Sequence, residues 1–141
     1  MFESSLLELF QSDPELVALV STDGEGEYKQ PSIFSDLAPE EVDLPYIVFK
    51  IDRYPSDHLS VDRFFINVDY YGRGSSYEDA RKASERVELL TDTKELTHSR
   101  YTHIRMYRAS AGTVPEDDPR EIHYNTQITA RACRKSFIDN L

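Results

Sequence analysis

The side chains with the widest chemical reach in this sequence are four histidines and a spread of carboxylates. His58, His98, His103 and His123 are candidate metal ligands, yet no two stand four apart as on one helix face and none lies beside a cysteine pair. Asp52, Asp57 and Asp62 recur at five-residue intervals. Such carboxylates can hold a divalent cation or share acid-base work, but this spacing matches no metal-site geometry and reads as a solvated loop. Asp23-Gly24-Glu25-Gly26-Glu27 offers calcium-compatible oxygens without the alternating ligands and closing glutamate of an EF-hand. Gly72-Arg73-Gly74-Ser75-Ser76 could turn backbone amides toward a phosphate at a helix start, but lacks both the third glycine of a dinucleotide loop and the Gly-Lys-Ser/Thr of a P-loop. The serines have no Gly-x-Ser-x-Gly setting, and the single cysteine, Cys133, reads as a packed strand thiol that cannot form an internal disulfide. The residues therefore predict no catalytic site, no metal and no cofactor.

The elements around these residues follow from apolar periodicity. Phe2, Leu6, Leu7 and Phe10, then Leu16, Val17, Leu19 and Val20, predict a helical start over 2–20, broken at Asp13-Pro14, where Asp13 fits an N-cap and Pro14 the first helical position. A polar loop over 21–30 leads to a short strand at Ile33-Phe34. Alternation predicts strands over 45–53 (Ile47, Phe49 and Ile51 on one face) and 63–71 (Phe64, Ile66, Val68 and Tyr70 on one face). The connection over 54–62 is too long for a tight turn and reads as a projecting hairpin arm. A helix over 75–90 is marked by the stripe Tyr77, Ala80, Ala83 or Ser84, Val87 and Leu90, and Ser75 with Glu78 resembles a capping box. Strands over 103–111 and 122–134 flank a turn at 115–119, and a short tail covers 136–141. The order predicts one α+β domain over 1–141, an antiparallel β-sheet with one or two α-helices packed on one face.

Composition narrows the function. With 141 residues, 39% hydrophobic and 30% charged, the chain can bury one core without disulfides. Twenty-six acidic against 16 basic residues give a formal charge of -10, which repels nucleic-acid phosphates and disfavours general DNA or RNA binding. No basic-then-apolar leader and no run of about 20 apolar residues is present, so a chain made and kept in the cytoplasm, with no membrane partner, is expected.

The string Ile33-Phe34-Ser35-Asp36-Leu37-Ala38-Pro39, followed by Leu44-Pro45-Tyr46-Ile47-Val48-Phe49-Lys50, resembles the tail-completion and tail-terminator family of long-tailed bacteriophages and related prophages. An Asp-Pro-Glu-Leu-x-Ala-Leu-Val start, here from Asp13 to Val20, precedes it, and the likeness continues through the strand at 64–71, the helix at 75–90, the acidic turn at 116–118 and the last strand. The resemblance implies a virion structural subunit, not an enzyme. It implies a homo-oligomeric ring, typically a hexamer, that caps the tail tube and joins head to tail. Its partners would be copies of itself, the tail tube protein and the head-tail connector proteins, with DNA passing through the lumen unbound.

Ring closure needs two different patches per subunit. The candidates are the hairpin arm (Tyr54, Asp57, His58, Asp62), the acidic turn (Glu116, Asp117, Asp118, Arg120) and the tail (Phe137, Ile138). A head-tail connector or tail-tube component would share this behaviour. A cytoplasmic small-molecule-binding module would instead need a convergent pocket.

Overall fold

A computed structural model describes residues 2–24, 29–55, 61–74, 77–92 and 100–135. Asp57, His58, His98, Phe137 and Ile138, most of the 23–27 segment, Ser75 and the His103 side chain lie outside the described residues.

The chain begins with α1 (Phe2–Gln11) and α2 (Pro14–Val17), separated where the sequence places the break. Asp13 caps α2: the Leu16 N–H donates to its Oδ2 at 2.9 Å. Two short strands follow, β1 (Thr22–Asp23) and β2 (Gln30–Pro31), pairing antiparallel where the sequence suggests only loop. Hydrogen bonds close the base of this excursion. The Ser32 N–H donates to Ser21 O, Ser21 Oγ donates to Asp43 O, and the Ser21 N–H donates to Pro45 O.

The main sheet contains β3 (Ile33–Ser35), β4 (Tyr46–Pro55), β5 (Val61–Arg73), β6 (Tyr101–Thr113) and β7 (Glu121–Arg134), in the order β3-β4-β5-β7-β6. It is antiparallel from β4 across to β6, and β3 joins β4 in parallel at one edge. The fold is α+β. α3 (Glu78–Thr91) connects β5 to β6 and packs against β5, β6 and β7, while α1 packs on β3.

Strict alternation on β5 decides the faces: Phe64, Ile66, Val68 and Tyr70 are buried, and the residues between them are not. The buried set meets Ile47 and Phe49 of β4, Ile128, Ala130 and Ala132 of β7, and Leu6, Phe10 and Leu16 of the helices. Phe10 sets its edge on the Phe49 ring at 5.4 Å. α3 presents Ala80, Ala83, Ser84 and Val87, small enough for its backbone to approach β7, and Ser84 and Thr126 satisfy each other at 2.6 Å.

The hairpin is zipped further than the alternation indicates. Tyr54 pairs with Arg63 and Pro55 with Asp62, so the strands extend to both ends of the expected arm and leave only 56–60 between them. α3 starts at Glu78 with Tyr77 in the N-cap position and no side-chain cap bond, later than the expected start at Ser75.

Candidate functional site

The pairing register gathers residues from distant segments onto the sheet face opposite the helices. Tyr46, Tyr71 and His123 lie side by side on β4, β5 and β7. Their rings form a continuous stack, Tyr46 on Tyr71 at 5.0 Å and Tyr71 on His123 at 4.3 Å. His123 is held at both nitrogens, Nε2 at 2.8 Å from Asp69 Oδ1 and Nδ1 at 2.6 Å from Glu116 Oε1. Asn125 Nδ2 donates to the same Asp69 oxygen at 2.9 Å.

This arrangement suits positioning, not proton transfer. A catalytic histidine needs one ring nitrogen free for substrate, and both here are engaged by carboxylates on opposite sides of the ring. The two oxygens also do not converge on one point, and no group of three metal-ligating side chains occurs among the described residues. Burial, with Asp69, Tyr46 and Glu116 adding to it, pushes the Tyr71 hydroxyl up to about 12, and burial also raises Tyr46. These phenols stay neutral at physiological pH.

The acidic turn is drawn onto the end of the sheet by the same contact. Besides Glu116 on His123, Asp118 accepts from the Arg120 backbone and guanidinium, which holds its carboxyl below the ordinary range. Asp117 is exposed. The Gly74 N–H donates to Arg120 O at 3.1 Å, so this amide of the glycine turn is already used. α3 then opens with Glu78 and Asp79, which repel an anion at its start.

At the opposite end of the sheet, Asp62 is 3% exposed and accepts from the Tyr101 hydroxyl at 2.7 Å. Arg53 and Arg134 stand 3.6 and 3.8 Å from its two oxygens. Asp62 thus anchors the loop end of the hairpin from within, whereas Tyr54 is 48% exposed with its ring against Phe65. Cys133 is half-buried on β7, as a strand thiol.

On the helical side, Arg86 of α3 donates from Nε and a terminal nitrogen to the two oxygens of Asp13, at 2.7 and 2.6 Å. Its other terminal nitrogen lies 3.3 Å from Glu15. A groove of about 430 Å³ runs beside this cluster, lined by Ala18, Leu19, Lys82, Glu85 and Leu89 among others. Both cations at the groove, Arg86 and Lys82, are already paired with protein carboxylates, Lys82 with Glu78 at 3.2 Å, which leaves little to orient a small ligand. No described helix is long and apolar enough to cross a membrane.

Sequence reasoning picked out His123 and Glu116 separately and missed their direct contact and the cluster with Asp69, Tyr46 and Tyr71 around it. Alternation does set Asp69 and Tyr71 on the face away from Phe64 and Ile66. Only the β5-β7 register brings His123 beside them.

No protein-family model matches the chain, and no curated protein matches it. Among solved structures, a chain from the virion of a native gene transfer agent particle has the same fold, with a TM-score of 0.76 over 93% of both chains at 14% identity.

Proposed function

We propose that this chain is a structural, non-enzymatic subunit of a phage-like virion, located where head and tail join, and that it caps the tail tube as a ring of identical subunits, a hexamer. The observation that carries this reading is the fold shared over 93% of both chains with a protein of a gene transfer agent virion. The likeness of the 33–50 stretch to tail-terminator proteins supports this place, and a neighbouring connector or tail-tube component is the second reading.

Two physical features support it. Among the described residues the helices cover one sheet face only, which leaves the opposite face and the long β6 edge for neighbours. The net charge of -10 suits a ring through which DNA slides without adhering. Its partners in this reading are other copies of the chain, the tail tube protein and the connector.

The test is negative-stain imaging of purified protein mixed with tail tubes. Rings of one diameter seated at one end of each tube are expected. Protein that leaves the tube ends bare would overturn the assignment.

A further inference from the structure

Across three strands, the register sets three arginines directly side by side. Arg63 of β5 is opposite Arg131 of β7, and Arg131 is opposite Arg105 of β6. Each is exposed and flanked along its own strand by buried residues, so all three project from the helix-free face. Among the described residues none of the three lies within ion-pair distance of a carboxylate, and like charges directly opposite one another oppose folding. Tyr54, opposite Arg63, and Tyr107, two residues from Arg105, are each 48% exposed at the two ends of the row. In a chain carrying -10, an uncompensated basic row is a local cost that an anionic partner would remove.

The complement lies on the same chain at the other edge of the sheet. The loop from β3 to β4 carries Asp36, Glu40, Glu41 and Asp43, all exposed, with no basic residue between them. It also exposes Leu37 at 82% and Leu44 at 37%. The Asp36 backbone is in the left-handed region (φ 68°), and its N–H donates to Phe49 O, which turns the chain outward after β3. The row ends on edge strand β6 and the loop hangs beside edge strand β3, so one subunit cannot satisfy itself.

We propose that the arginine row of one subunit receives the 36–44 loop of a second copy, the guanidinium forks meeting carboxylates and the exposed tyrosines meeting Leu37 and Leu44. Two unlike patches at opposite edges make a head-to-tail contact, which closes into a ring when the rotation allows. This rests on the ring reading above and assigns its interface. It also hides the strongest basic feature of the helix-free face in the assembly. Nucleic acid is the competing occupant, and the overall acidity disfavours it.

The experiment measures solution mass against concentration for the full chain, a row-reversed variant (R63E/R105E/R131E) and a loop-reversed variant (E40K/E41K), with circular dichroism verifying the fold. Each variant alone is expected to self-associate roughly 100-fold more weakly than the unmodified chain. Mixing the two is expected to restore association, because each mixed contact again joins opposite charges. R131E alone serves as a second variant, since it relieves repulsion in the monomer while still weakening association.

The proposal is overturned if the unmodified chain stays monomeric, if row reversal leaves association unchanged, or if the folded variants fail to associate on mixing. It is also overturned if a short DNA duplex binds the unmodified chain and is lost by row reversal while self-association is unaffected. A chain that seats on tube ends with row reversal harmless defeats this interface alone. Row-dependent association by a chain that ignores tube ends defeats the tail-cap reading and leaves the interface standing.

Discussion

Asp13 is 6% exposed between the start of α2 and the guanidinium of Arg86, and both partners favour its ionised form. The Arg86 hydrogen bond is the larger cause of its lowered pKa. Replacing Asp13 with Ala removes a cap and a two-pronged charged contact, and a loss of about 2 kcal/mol is expected in urea unfolding. Asp13→Asn retains the cap but not the charge. A folded pKa below the unfolded value of about 3.9 means that the stabilisation is present above about pH 4 and is lost as the pH falls through the lower, folded value. The gap in urea midpoint between the unmodified chain and Asp13→Asn should therefore narrow on acidification; a gap constant from pH 7 to pH 2 would refute the pairing. In alkali the sign reverses. Burial raises the Tyr70 and Tyr71 hydroxyls to about 12, so their contribution is complete below about pH 10 and is lost as the pH rises through 12. Ultraviolet titration should show these two phenols ionising last and together with unfolding. At Arg131, replacement by Glu should raise stability by about 0.5 kcal/mol, because it turns two like-charge neighbours into opposite-charge ones. Asp13 was legible as a cap from its place before Pro14. Its salt bridge was not, since Arg86 is 73 residues away.

Elements were legible wherever one face is buried and the other is not. The alternation in β4 and β5 and the small-residue stripe of α3 follow from that asymmetry. What escaped is structure fixed by distant pairing. β1 and β2 are two residues each and too short for periodicity; they form because Ser21 and Ser32 tie the base of the loop to Pro45 and to each other. β3 joins in parallel because α1 packs over it and Gln11 Nε2 donates to Ile33 O at 3.2 Å. The hairpin lengthens past its expected ends because Asp62 turns inward to Tyr101 and Tyr54 packs on Phe65. The close seat of α3 on β7 depends on side-chain size at Ala83, which is 1% exposed. Ala83→Leu should overpack this seat and cost about 1–3 kcal/mol, read as a lower thermal midpoint with the helical content retained. An unchanged midpoint would mean that α3 does not sit so closely.

At the scale of the whole molecule, charge is unevenly shared. α1, α2 and the 36–44 loop carry acidic side chains and no basic ones, while Lys50, Arg63, Arg73, Arg105 and Arg131 are exposed along the helix-free face and Arg53, Arg81, Lys82 and Arg108 are exposed on the helical side. The sum of -10 conceals this division, and so composition alone conveyed an acidic protein without indicating where opposite charges face each other. The carboxylates divide likewise: Asp62, Glu116 and Asp118, which the sequence suggests as partner contacts, are engaged within the chain, whereas Asp36, Glu40, Glu41 and Asp43, which it does not single out, have no ion-pair partner among the described residues. Tail capping is the central claim, and its most direct measurement is the growth of tail tubes with and without this protein, followed by length in negative stain. Addition during growth should arrest elongation at substoichiometric amounts and leave a ring on one end of each arrested tube. Tubes that lengthen at the same rate and to the same extent in its presence would contradict the account.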